Sequence, residues 1–344
     1  MKIDIFNHFL PERYLEAVRS AIGEQPIVRY ASGIRPLWNV AERLAALERW
    51  PDVQQIVTLG QPTPEMVAAP DDSPELARLA NDGMAAIRDA RPDRFPAFVA
   101  SLPMNNVPAA IAELDRAVGR LGARGVQILT SINGRPLDDP EFFPLFERIV
   151  RHHALPIWLH PFKAPTVPDY PAEAASDYEI WLVLNWPHES SVAMARLVFS
   201  GMFDRLPGLR VITHHCGATI PYLAGRVGPL WDEIGARGDN PRFQAIRRSM
   251  AEHGLRPIDY FKRFYGDTVL GGSTAALRCG LDFFGPGHVV FGTDFPYGPE
   301  RGDYFLRETI RSVDEVDLPQ LDREGIYCGN ALKLMGLRDP RAAG

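Results

Sequence analysis

Short apolar runs, each followed by a stretch with helical spacing, recur about eight times along this 344-residue chain. That alternation limits the fold more than any other feature. Strand, helix and next strand in one sense form a right-handed parallel crossover unit. The runs cover 2–6, 53–59, 95–101, 125–129, 155–160, 209–214, 264–269 and 288–294. Eight units in roughly 300 residues predict an α/β protein with a distorted, closed (β/α)8 TIM barrel. No Gly-x-Gly-x-x-Gly follows the first run, which argues against a dinucleotide-binding sheet. No linker interrupts the pattern, so residues 1–344 read as one barrel domain.

Two insertions, at about 20–50 and 161–189, stand over one barrel mouth. The first reads as irregular around Pro26, Gly33 and Pro36, with a helical face at Leu44, Leu47 and Trp50. The second is rich in Pro and aromatics, and loops of that length in compact domains are usually functional. Ser190 or Ser191 is predicted to cap a helix running through Met194 and Val198 to Gly201.

Composition narrows the partners. The formal net charge is −6 and no basic tract is present, so nucleic acid and anionic membrane surfaces are poor partners. No run of about 18 apolar residues is found, so no membrane span is expected. The first residues enter a strand pattern directly, without the apolar core of a signal peptide. Cys216, Cys279 and Cys328 have no Cys-x-x-Cys spacing and suggest a reducing, cytoplasmic setting.

Four strand ends carry unusual residues: His8 on the first, His160 on the fifth, His214 and His215 on the sixth, Asp294 on the eighth. In a barrel these ends meet at one mouth. Neutral imidazoles plus a carboxylate suit a divalent cation such as Zn²⁺ or Mn²⁺. Three protein ligands and an open position make a catalytic site rather than a structural one. Cys216 reads either as a nucleophile or, preferably, as a small residue filling a tight turn.

The chain resembles the amidohydrolase superfamily, in the amidohydrolase-2 branch that includes aminocarboxymuconate-semialdehyde and γ-resorcylate decarboxylases. The resemblance rests on Ile3-Asp4-Ile5-Phe6-Asn7-His8-Phe9-Leu10-Pro11, Gly125-Val126-Gln127-Ile128 and His160-Pro161. It continues through Arg196-Leu197-Val198-Phe199-Ser200-Gly201, His215 to Pro221, Phe291-Gly292-Thr293-Asp294-Phe295-Pro296 and Gly329-Asn330-Ala331. It implies one divalent metal, zinc before manganese, held by His8, His160 and Asp294. It implies His215 as the catalytic histidine, with Asp294 sharing the proton work, and a homodimer. His214, one residue earlier, points the other way on a regular strand and reads as packing or as a supporting hydrogen bond.

One position departs from the family pattern. Phe6 stands where the family usually has His, or Glu in some decarboxylases, and it shares a strand face with His8. Three readings follow: the metal is held by the remaining three residues, metal binds weakly, or catalysis has been lost and a ligand-binding barrel remains. The activity implied is decarboxylation of a small aromatic or unsaturated carboxylic acid. Hydrolysis of a lactone or amide is the alternative, since it uses the same metal and acid–base pair. Substrate-binding candidates are Arg35 and Lys163 for a carboxylate, Trp38 and Trp186 for a flat ring, with His188 and Arg226 nearby. Each also has a plain reading as a solvated loop charge or as loop packing. Glu189 reads as a helix-start acid.

Overall fold

The computed structural model describes residues 1–339. Eight parallel strands follow in chain order: β1 (Lys2–Asp4), β2 (Val53–Gln55), β3 (Ala100–Ser101), β4 (Val126–Leu129), β5 (Ile157–His160), β6 (Val211–Thr213), β7 (Tyr265–Asp267) and β8 (Val289–Val290). From β3 to β8 they form one sheet in chain order, and β1 pairs with β2. A Val57–Phe98 bridge joins the β2 and β3 segments. The ring closes where Ile5 N donates to Phe291 O at 2.9 Å. The predicted barrel is therefore present, with strands shorter than the apolar runs.

Alternation along each strand sorts side chains into two cores. Ile3, Ile56, Trp158, Ile212 and Val290 fill the inside of the barrel. Their neighbours Val53, Ile157, Leu159, Val211 and Val289 face the surrounding helices. Both faces are buried, so β4 and β5 read as continuous apolar runs rather than alternating ones. Trp158 fills the interior, and its Nε1 donates to Ile5 O at 2.7 Å. That bond satisfies its one polar atom and pins the end of β1.

Beyond β1 and β2 the chain pairs again, His8–Phe9 with Thr58–Leu59. This second short pairing carries His8 toward the mouth. The first insertion is less irregular than its prolines suggest. It folds into helices at Pro26–Gly33, Arg35–Trp38 and Val40–Leu47. Pro26 and Pro36 lie in first turns, where a missing N–H costs nothing, so they start helices instead of breaking them. In the second insertion the helix starts earlier than expected, at Trp186, with Pro187 in its first turn, and ends at Phe199. Ser190 and Ser191 are buried inside it and do not cap it; Ser191 Oγ instead pairs with Thr219 Oγ1 at 2.7 Å. No described helix is long and apolar enough to cross a membrane.

Candidate metal centre

His8, His160 and His214 offer ring nitrogens that all lie within 4.8 Å of one another, and all three side chains are buried. Asp294 joins them: its Oδ1 is 3.0 Å from His8 Nε2 and 3.8 Å from His214 Nε2. The strand-end histidines and the carboxylate thus converge on one point at the barrel mouth.

Each imidazole is anchored through one nitrogen. His214 Nδ1 is 2.6 Å from Asp267 Oδ2, His160 Nδ1 is 2.7 Å from Pro161 O, and His8 Nδ1 is 3.4 Å from Leu59 O. Carboxylate and carbonyl oxygens only accept, so these contacts put the proton on Nδ1. The Nε2 lone pairs then face the centre. His8 Nε2 is buried and makes no aligned hydrogen bond, although the Asp294 oxygen is close. Two electron-pair donors 3.0 Å apart repel unless a proton or a cation lies between them. This is the arrangement expected of metal ligands, each oriented by an outer partner. The residues present therefore fit a divalent cation.

Electrostatics hold His160 and His215 neutral. Burial, and then the adjacent His8 and His214, hold the His160 imidazole well below its usual range. Burial and His214 push His215 down to about 3, against the pull of Asp294. Burial alone would raise the Asp294 carboxyl; His8, His214 and His215 outweigh it and hold the group below the ordinary carboxylate range. Neutral imidazole and ionised carboxylate are the forms that bind metal.

His214 differs from the sequence expectation. It does pack on Phe6 and bond Asp267, and it is also one of the three clustered imidazoles. The reason is local. β6 stops at Thr213, and His215 and Cys216 then take left-handed backbone angles, φ 55° and 52°. His214 keeps the inward phase of Ile212, two residues before it, and the left-handed turn brings His215 to the mouth beside it, with ring centroids 4.1 Å apart. His215 is partly exposed, and its Nδ1 has no partner. Cys216 fits the structural reading: a Cβ on Gly280 would stand 2.2 Å from its Sγ, and burial pushes its thiol up.

Phe6 is fully buried and forms the floor of the centre. Its ring stacks on His214 at 4.0 Å and lies 5.9 Å from both His8 and His160. Gly292 makes room for it, since a Cβ there would come within 2.8 Å of Phe6 Cβ. An apolar ring thus occupies the place beside the ligands and supplies no donor.

The other expected site residues divide. Trp186 is at the site, its ring 5.5 Å from His160, with Nε1 donating to Lys163 O at 3.1 Å. Lys163 is not free to hold a substrate: its Nζ is 2.9 Å from Asp169 Oδ1 and 3.3 Å from Pro168 O. Arg35 is exposed, pairs with Glu42 at 2.9 Å and lies over Trp38. Trp38 Nε1 donates to Ser32 O at 3.1 Å. This pair is bonded within its own insertion. His188 and Arg226 are exposed. Glu189 lies in the first turn of its helix, as expected. Sequence reasoning missed Tyr297 and Tyr30. Tyr297 lies 5.2 Å from His8 and stacks on Tyr30 at 6.2 Å, a phenolic pair on the His8 side of the centre. Tyr297 follows the Gly292-Thr293-Asp294 segment closely, which was the available signal; Tyr30 had none.

The amidohydrolase family model matches residues 3–337, and the chain belongs to that family. It is 31% identical to 2-amino-3-carboxymuconate-6-semialdehyde decarboxylase of Dictyostelium discoideum, over 79% of this chain and 69% of that protein. It is 28% identical to 6-methylsalicylic acid decarboxylase of Penicillium expansum, over 97% of this chain and 95% of that one. Among solved structures, 5-carboxyvanillate decarboxylase from Sphingomonas paucimobilis superposes with a TM-score of 0.80 at 25% identity, covering 98% of this chain and 99% of its own.

Proposed function

We propose that this protein is a metal-dependent carboxy-lyase that removes CO₂ from a small aromatic carboxylic acid. The observation that carries the reading is the cluster of inward-facing imidazole nitrogens beside Asp294. The relatives named above are decarboxylases, which favours a lyase over a hydrolase. His8, His160, His214 and Asp294 would hold the cation, and an imidazole-rich set favours zinc over manganese. When bound, the cation supplies positive charge that orients the substrate carboxylate and stabilises developing negative charge.

The chain's own residues do the rest. Trp186 beside His160 and Tyr297 beside His8 would offer aromatic faces to a flat ring. Decarboxylation replaces CO₂ with a proton on the ring carbon. His215, whose side chain is partly exposed at the mouth, would carry that proton to the ring carbon. The Asp294 carboxylate holds the imidazolium while it exists, consistent with its pull on His215. Phe6 and the buried floor keep water from beneath the reacting carbon.

The reading includes a cytoplasmic homodimer, supported by three cysteines that form no disulfide among the described residues and by the family resemblance. Sedimentation reads the oligomeric state. The activity is tested by CO₂ release from a panel of hydroxybenzoic acids, with ester and amide analogues alongside. Release from one or more acids in wild type and none in His215→Asn supports the lyase. Turnover confined to esters or amides overturns it.

A further inference from the structure

Beneath the cluster lies a buried polar network that the reaction does not use. Its centre is Arg43, on the Val40–Leu47 helix, fully buried and enclosed by Phe9, Phe95 and Phe295. Arg43 Nη1 donates to His8 O at 2.7 Å, Nη2 to Asn7 Oδ1 at 2.5 Å and Nε to Gln55 Oε1 at 2.9 Å. Gln55 passes the link on, its Nε2 donating to Asp4 Oδ2 at 3.2 Å. Asp4, also fully buried, accepts from Thr293 Oγ1 at 2.6 Å and from Thr293 N at 3.1 Å. Thr293 precedes Asp294, and Asp294 N itself donates to Phe6 O at 2.8 Å.

We infer that Arg43 is a positioning residue for the metal centre, holding the backbone of His8 directly and that of Asp294 through Gln55, Asp4 and Thr293. This rests on reading the cluster as a cation site. Packing alone does not explain the arginine. A buried charge costs several kcal/mol unless fully bonded, and an apolar side chain would fill the same space more cheaply. What an apolar residue cannot do is bond a carbonyl on one strand end and relay to an amide on another. The seam between β1 and β8 is where the barrel closes, and regular pairing there is short. Two of the donors, His8 and Asp294, must stay aimed at one point across that seam. Partners of this kind, one step outside the ligands, typically change metal affinity about 10–100-fold when removed.

The test uses the full-length chain with zinc alone as the probe. Metal-stripped wild type, Arg43→Met, Arg43→Lys and Gln55→Leu are titrated with zinc against a chromophoric chelator. The His8 imidazole ¹⁵N resonances of the metal-free proteins are recorded alongside. Asn81→Ala serves as the control, because it breaks a buried network of Ser101 and Glu113 that does not include the centre. The expected result is a zinc affinity about 10–100-fold weaker in Arg43→Met, weaker by less in Gln55→Leu and Arg43→Lys, and unchanged in Asn81→Ala. The His8 resonances shift in the same order. If Arg43→Met does not fold, Gln55→Leu, which keeps the arginine, carries the test. Wild-type affinity and unshifted His8 resonances in the Arg43 and Gln55 variants overturn the inference. Equal weakening in Asn81→Ala also overturns it. If wild type binds no zinc, the cation reading fails, and the His8 resonances still decide whether Arg43 holds that ring.

Discussion

The floor of the centre and its wall at 161–189 are built on opposite terms. The floor has Phe6, His8, Asn7, Asp4, Arg43 and Gln55 buried, and each polar group among the last four is bonded to strand backbone or to another member. The wall has Tyr170, Tyr178, Val183 and Leu184 exposed, and its polar bonds are mainly its own: Lys163, Ser176 and Asn185 all meet Asp169. The floor is tied to the barrel, and the wall is tied to itself with Trp186 as its contact to His160. A rigid floor suits ligands that must hold one geometry, and a self-contained wall suits a surface that selects substrates.

The largest effect that would sharpen this contrast is on the floor. His160→Ala removes a clustered imidazole, and metal content should fall from about one per chain to below about 0.1, with turnover down on the order of 1,000-fold. Elemental analysis and CO₂ release measure both. His215→Asn should leave metal content at the wild-type level while kcat drops about 100-fold or more, because it removes the proton carrier and no ligand. Parallel loss of metal would place His215 among the ligands instead. Phe6→His puts a donor where an apolar ring stacks on His214, and zinc affinity should tighten by about 10-fold in a competition titration. No gain would mean that position 6 does not face the cation.

Wall changes should be smaller and different in kind. Trp186→Ala should raise KM about 10-fold with metal retained, as expected for about 1 kcal/mol of lost ring contact. The smallest effect is a pH response confined to the loop. Ser176 and Lys163 hold the Asp169 carboxyl down at about 2. A depressed carboxyl stabilises the fold above its unfolded value near 3.8, and that contribution fades as pH falls toward about 2. Limited proteolysis should therefore cut 161–189 faster at pH 2.5 than at pH 5, and Asp169→Asn should show fast cutting at both. Equal rates for wild type at the two pH values would contradict the self-tied wall.

The same contrast governs what the sequence made legible. His8, His160 and Asp294 could be read because strand ends of a barrel must meet, whatever the loops do. His214 faces inward because it keeps the phase of Ile212, which only the packed barrel reveals; the left-handed turn that brings His215 there as well has no signature that separates it from a strand end. Pro26 and Pro36 suggest breaks in the sequence because a proline marks a helix start and a helix stop alike. Arg35 and Lys163 were plausible carboxylate holders until their partners Glu42 and Asp169 were in place. Arg43 gave no signal, since its role depends on where its helix packs against the barrel and not on the residues beside it.

Metal content of the wild-type chain, purified without chelator or added metal, bears most directly on the convergence of donors from four distant segments. About one zinc or manganese per chain, absent from His8→Ala, is the predicted result. Less than about 0.1 per chain, or the same content in His8→Ala as in wild type, would contradict it.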